Sequence, residues 1–305
     1  MPSDCEKSNS NRKELSVMKL GLVLEGGGMR GIYTVGVLDC LMEENFRSDY
    51  VIGVSAGACN GASYVSRQKG RALRTNTEYI ADSRYLSIRN FLKTKSLFGM
   101  DFLFDEIPNH LIPMDYETFY SDPCEFVIGV TDVITGSPKY FGKEMLEPKN
   151  TILRASSSIP VFAPIVEYQG GKYLDGGTTD AIPVKQAIKD GCDKVIVILT
   201  RERSYQKQPE KFRSIYHKIY KEYPKLVEAL DSRHIQYNNT LAYLKQLEQE
   251  GKALVIAPDA PLPIGRFEKN PEQLKKVWNL GFDQTKKLMQ SIREFSEINQ
   301  SEAIV

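Results

Sequence analysis

The stretch LGLVLEGGGMRG, Leu20 to Gly31, leads an apolar segment into three consecutive glycines and adds a fourth three positions later. Apolar residues at helical spacing follow in IYTVGVLDCLMEE, 32 to 44, so the pattern reads as strand, turn, helix. A second unit comes soon after, with DYVIGV (49 to 54) as a buried strand and SAGACNGASYV as a helix of small residues. Two such units in succession imply parallel pairing through a right-handed crossover, hence an α/β class. EFVIGVTDV (125 to 133) and DKVIVILT (193 to 200) extend the set of buried strands, with YFGKE and KYLDGG as shorter ones. Residues 85 to 119 show no clean period and read as short helices and loops over the site. Their Phe91, Leu97, Phe98, Phe102, Leu103 and Phe104 are either core or the lining of an apolar channel.

After Thr200 the pattern changes. Phe212, Ile215, Tyr216, Ile219, Tyr220 and Tyr223 share one helical face, and a strand KALVIAP (252 to 258) precedes a final helix bearing Leu274, Val277, Trp278, Gly281, Phe282 and Leu288. The basic, aromatic helix near 205 to 223 either docks on the body of the protein or lies on anionic lipid. The domain reading is a disordered polar tail at 1–18, a catalytic domain at 19–200 and a mainly helical extension with one strand at 201–305.

Composition narrows the function. Forty basic and thirty-nine acidic residues in 305 leave a net charge of +1, which gives no field for nucleic acid. Five scattered cysteines with no C-x-x-C pair favour a reducing, cytoplasmic compartment and no metal cluster. No apolar run approaches the roughly 18 residues that would span a bilayer.

Gly26, Gly28 and Gly31 satisfy G-x-G-x-x-G, the spacing of a dinucleotide turn. That fingerprint also needs an acidic residue closing the second strand, and here Asp49 opens it while GVSAG closes it. A Walker loop is a weaker match still, since Ile32-Tyr33 and not Lys-Ser or Lys-Thr follows the last glycine. GVSAG itself, Gly53 to Gly57, is G-x-S-x-G, the sharp strand-to-helix turn that projects a serine hydroxyl above a sheet. That pentapeptide arises by chance in roughly one chain in ten of this length, and the GGGxxG pattern in on the order of one in a hundred. Their joint occurrence at adjacent strand ends is therefore the stronger signal. It places the Gly27 and Gly28 N–H groups as an oxyanion hole for attack by Ser55.

The serine needs a base. His110, His217 and His234 are the only histidines, and too few residues precede Ser55 for the sheet of an α/β-hydrolase, whose triad would end on His217 or His234. In YLDGGTTDAIPV, 173 to 184, Asp175 ends a short strand, and Gly176-Gly177 let its carboxylate approach another backbone closely. A carboxylate within reach of the hydroxyl serves as base directly.

GGGMRG, GVSAG, RASSSIPVFAP and YLDGG, in this order, resemble the patatin-like phospholipases over about residues 19 to 200. The resemblance implies a three-layer α/β/α fold with a mainly parallel sheet. It further implies hydrolysis of lipid acyl esters by a Ser-Asp dyad through an acyl-enzyme, with no catalytic histidine, no cofactor and no metal. By it Ser55 is the nucleophile, Asp175 the base and Gly26, Gly27 and Gly28 the oxyanion turn. Gly31, Gly53, Gly57, Gly176 and Gly177 support the turns. Arg30 matches a basic position, where it fixes the loop, meets a phosphate or makes a surface ion pair. ASSSIP reads as structural, and Asp180 stands where many relatives carry Asn. The expected partner is a lipid ester, with transient contact at a membrane surface. The rival readings are a nucleotide-binding module using the glycine turn and a catalytically silent lipid-binding relative.

Overall fold

The computed structural model describes residues 18–297, so residues 1–17 of the expected tail, with Cys5, lie outside the described residues. β1 (Leu20–Leu24) passes through the turn Gly28–Gly31 into α1 (Ile32–Glu43), and β2 (Tyr50–Val54) runs into α2 (Ala56–Val65). The short helices α3 (Arg71–Thr77) and α4 (Ile88–Thr94), a π-helical segment Phe102–Leu111 and α5 (Tyr116–Ser121) follow. β3 (Glu125–Asp132) and β4 (Ser137–Gly142) form a hairpin, and α6 (Thr151–Ser156) precedes a second one of β5 (Val166–Tyr168) and β6 (Gly171–Asp175). α7 (Val184–Lys189) leads to β7 (Lys194–Ile198). The remainder comprises α8 (Arg213–Ile219), α9 (Pro224–Gln249), β8 (Ala253–Ile256) and α10 (Pro271–Glu297).

The strands form one sheet in the order β5-β6-β3-β2-β1-β7-β8, with β4 also paired to β3. From β3 to β8 every neighbour is parallel, as the two strand-turn-helix units require. Both faces are covered, which is why these strands are apolar throughout rather than alternating. Leu20, Leu22 and Leu24 point into a core with α1, α2 and α10, whereas Val23, Val195, Val197 and Val255 point into a second core with α7 and α9. The result is the three-layer fold expected.

The chain after residue 200 contributes to every layer of that fold. β8 extends the sheet beside β7, α9 lies on one face through Tyr237, Leu244 and Leu247, and α10 lies on the other over α1. α1 is therefore buried on all sides, including the polar Thr34 and Asp39. Trp278 Nε1 donates to Asp39 Oδ2 at 2.8 Å, and Tyr33 Oη donates to Gln284 Oε1 at 2.8 Å. The two helices cross where Gly36 faces the Trp278 carbonyl and Gly281 faces the Tyr33 carbonyl, so a Cβ at either position would overlap backbone.

Gly36→Val is accordingly expected to destabilise the protein by at least about 1–3 kcal/mol, the usual cost of overpacking, as read by urea unfolding. Gly265→Ala, whose added Cβ meets nothing within 4 Å, should stay within about 0.5 kcal/mol of the parent.

Candidate functional site

The site is assembled by one edge of β3. β4 covers Val127–Asp132 on the other edge, so β2 and β6 must share the remaining one. β2 runs parallel to β3 and ends with Val54 opposite Gly129, while β6 runs antiparallel and ends with Asp175 opposite Val130. Two strands thus meet end to end on consecutive β3 residues. Ser55 leaves the end of one and Asp175 closes the other, 120 positions apart in the chain.

Ser55 adopts φ 54° and ψ −128°, a strained conformation for a residue with a side chain. What holds it is Ser156, at the end of α6. The Ser55 N–H donates to Ser156 Oγ at 2.8 Å, and that hydroxyl donates onward to the Gly129 carbonyl at 2.7 Å. ASSSIP therefore ties the serine turn to β3 directly, and Asp175 N–H donates to the Ser158 carbonyl at 2.9 Å. Gly57 brings α2 against the Leu24 and Glu25 carbonyls, and Gly53 ends its pairing opposite Leu24. The Gly31 carbonyl accepts from Asn60 Nδ2 at 3.0 Å. Gly176 lies against the Gly129 carbonyl.

Asp175 is only 7% exposed. Burial pushes its pKa above the usual carboxylate value, while the Ser55 hydroxyl, the Arg233 charge, the Gly177 N–H and the Arg266 charge pull it back. The Gly177 N–H donates to Asp175 Oδ1 at 2.7 Å. Asp180 is held by Tyr140, whose hydroxyl donates to it at 2.6 Å.

The glycine turn faces the same place. Gly26, Gly27, Gly28, Ser55, Asp175, Arg233 and Arg266 line one small groove. Gly28 has φ +58°, and an added Cβ would come within 2.6 Å of Arg266 Cγ, so no other residue fits. The amides of the turn are not equivalent. Gly26 N–H donates to the Ala181 carbonyl at 3.2 Å and Met29 N–H to the Arg266 carbonyl at 3.1 Å. Gly27 and Gly28 have no acceptor for their N–H groups among the described residues. Of the three glycines expected to form the oxyanion turn, Gly26 thus has its amide engaged, and Gly27 and Gly28 leave theirs open among the described residues.

Ser55 also borders an apolar cavity of about 140 Å³ lined by Tyr85, Phe98, Met100, Leu103, Phe104, Ile107 and Leu153, among others. Phe98, Leu103 and Phe104 thus line this space. Phe102 is 5% exposed and packs edge-on against Tyr79.

Three expectations need correction or placing. Arg30 is 8% exposed, which overturns the surface ion pair; it lies near Glu25 with its Nε buried and without a partner among the described residues. No histidine lines either space bordered by Ser55. His217 pairs instead with Asp231 at 3.1 Å, and His110 is exposed. For the nucleotide reading, the turn's amides at Gly26 and Met29 are spent and Arg266 packs against Gly28, so the open cradle a pyrophosphate needs is missing.

Sequence reasoning missed Ser156, Arg233, Arg266 and Glu25. Glu25 is 3% exposed and accepts from Thr200 Oγ1 at 3.0 Å and Tyr237 Oη at 2.7 Å, joining the end of β1 to the chain after β7 and to α9. Its signal was a carboxylate between a buried strand and the glycines.

The chain is 29% identical over 272 residues, 86% of its length and 75% of the relative's, to an uncharacterised protein, YjjU, of Escherichia coli. It is 29% identical over 202 residues to the lysophospholipase NTE1 of Meyerozyma guilliermondii and 30% identical over 203 to that of Candida albicans, in each case 60% of this chain and 13% of the relative. Among solved structures, VipD from Legionella pneumophila aligns at a TM-score of 0.44 and 15% identity, over 90% of this chain and 67% of that one. A profile described as a domain of unknown function matches residues 223–297. The patatin-like phospholipase profile matches residues 22–188, more than half of the sequence, and the chain belongs to that family.

Proposed function

We propose that the protein cleaves acyl esters of lipids, of the phospholipid or lysophospholipid type, by a Ser55–Asp175 dyad. The observation that carries this reading is the meeting of β2 and β6 on one edge of β3, beside two amides with no acceptor of their own. Asp175 takes the proton of Ser55 as Oγ adds to the ester carbonyl. The tetrahedral oxyanion is received by the Gly27 and Gly28 N–H groups. Collapse breaks the ester C–O bond as Asp175 gives its proton to the departing oxygen, so the alcohol leaves, the acyl group stays on Ser55 and the carboxylate is restored. Water, deprotonated by the same carboxylate, then releases the fatty acid and restores the hydroxyl. The 140 Å³ cavity is close in size to one known to bind benzene, so it takes a short stretch of acyl chain next to the ester.

Lipid is proposed to be met at the surface above this cavity. α4 stands on the segment between Tyr85 and Phe98, both lining residues, and turns Ile88 (74% exposed) and Leu92 (72%) to solvent beside Arg89 and Lys93. Half-exposed Phe212 reaches the same region through Phe162 and Phe267.

Ser55→Ala and Asp175→Asn are each expected to lower kcat by at least about a thousandfold, measured as fatty acid released from a lipid panel by mass spectrometry. His217→Ala should stay within about twofold; a loss as large as that of Asp175→Asn would restore a histidine mechanism. Asp175→Asn is expected to keep or raise Tm. With its pKa raised in the fold, the carboxylate binds its proton more tightly folded than unfolded, and the ionised form is a cost at neutral pH that Asn removes.

The same shift governs the rate. Because the base must be ionised, kcat/KM should fall on the acid side through a pKa above about 3.9, the unperturbed value. A profile that stays flat down to that value would contradict Asp175 as base. The double substitution Ile88→Glu, Leu92→Glu is expected to lower the ratio of activity on anionic vesicles to activity on a monomeric short-chain ester. An unchanged ratio would remove α4 from the lipid contact.

A further inference from the structure

The groove beside Ser55 has walls of opposite origin. The catalytic half supplies the glycine turn and Asp175, and the region after residue 200 supplies two guanidinium groups, Arg233 from α9 and Arg266 from the segment before α10. Arg233 is partly used. Its Nε donates to the Gly177 carbonyl at 2.6 Å and its Nη1 pairs with Glu210, while its Nη2 has no partner among the described residues. Arg266 is less satisfied still. Its stem lies against Gly28 and its carbonyl holds Met29 N–H, yet among the described residues its guanidinium makes no hydrogen bond and no ion pair.

Cations are in excess around this groove. Lys207 is pushed down to about 8 by burial and by the charges of Arg233 and Arg266, against the pull of Glu210. Arg30 is pushed down to about 10 by burial and by Arg201 and Arg266. The carboxylates nearby are committed: Glu210 to Arg233 and Lys207, Glu25 to Thr200 and Tyr237, Asp175 to Gly177. Asp175 and Glu210 act on Arg266 through their charges alone, without a hydrogen bond or ion pair; a partly buried guanidinium whose donors are unsatisfied is costly, and a bound anion offsets that cost. A planar fork of N–H donors matches the oxygens of a phosphate.

We propose that Arg266, with Arg233 beside it, is the subsite for the phosphodiester anion of the substrate's headgroup, so that the ester spans Ser55 with its acyl chain in the apolar cavity and its phosphate on the extension. This rests on the acyl-hydrolase reading of Ser55 and deepens it. It gives the region after residue 200 a role in substrate choice.

The test compares wild type, Arg266→Gln and Arg266→Lys on a lysophospholipid and on the monoacylglycerol of the same acyl chain. The quantity read is the ratio of the two kcat/KM values, which cancels any effect of the Arg266 charge on Asp175. Arg266→Gln is expected to lower that ratio by at least about tenfold, mainly through KM, and Arg266→Lys to restore part of it. Inorganic phosphate should compete with the lysophospholipid in wild type and lose potency in Arg266→Gln. An unchanged ratio overturns the inference, and phosphate competition with an unchanged ratio marks a free-anion site instead of a headgroup site, which overturns it equally. Thermal unfolding and fluorophosphonate labelling of Ser55 report whether each variant is folded and its serine active. Should Arg266→Gln fail to fold, Arg266→Lys decides alone, since loss of the fork should still lower the ratio and an unchanged ratio overturns the proposal. If wild type cleaves neither ester and takes no label, the hydrolase reading fails and this inference with it; if wild type cleaves both, only the headgroup assignment is at stake.

Discussion

The edge of β3 between Gly129 and Val130 is the constraint on which the rest of the site depends. A strand edge offers each residue one partner, and here two different strands take consecutive positions, one arriving parallel and the other antiparallel. Neither Ser55 nor Asp175 could drift without breaking ladder bonds. Strain at Ser55 and a desolvated carboxylate at Asp175 are both unfavourable taken singly. They persist because the surrounding bonds over-determine them. Ser156 reads out both neighbours at once, accepting from the Ser55 amide and donating to the Gly129 carbonyl.

The glycine turn is held by a different part of the chain. Its position depends on three anchors: Gly26 on Ala181, Met29 on Arg266, and Glu25 on Thr200 and Tyr237. Two of the three involve residues beyond 200, and α10 seals α1 immediately downstream of the turn. The 201–297 segment therefore bears on the amide geometry as well as on the outer layers. This explains why the turn can leave two N–H groups without acceptors. A loop free to relax would turn them to solvent or to a carbonyl, whereas one clamped at both ends cannot.

Much of this was legible in the sequence because the decisive signals are local. An apolar strand running into glycines, a G-x-S-x-G at the end of the next strand and an Asp-Gly-Gly after a short third one are each readable within a dozen residues. Parallel order followed from two successive strand-turn-helix units. The segment 85–119 resisted a period for a physical reason: Phe102–Leu111 is π-helical with Pro108 inside it, so its contacts do not recur at 3.6 residues. Ser156 lies in ASSSIP, which the sequence marked as structural without showing what it holds, and Arg233 and Arg266 were illegible because nothing near them in sequence marks them; their meaning comes from neighbours more than fifty positions away. Of the alternatives for Arg30, the surface ion pair fails because the residue is buried, beside the opposite charge of Glu25 and against the like charges of Arg201 and Arg266, none of which is local enough to be read from the sequence around it.

The electrostatics of the groove close the argument between fold and chemistry. A carboxylate buried enough to act as a base without histidine tends to take up a proton and cease to be one. Here the cations that oppose that tendency, Arg233 and Arg266, come from the extension and not from the strands that position Ser55 and Asp175. Position and ionisation are thus supplied by separate parts of the chain. Ser55 lines both the apolar cavity and the cationic groove, so the ester of the proposed reaction would lie where an apolar and a cationic space adjoin. The same charges that would receive an anionic headgroup are those that draw the Asp175 pKa back down against its burial.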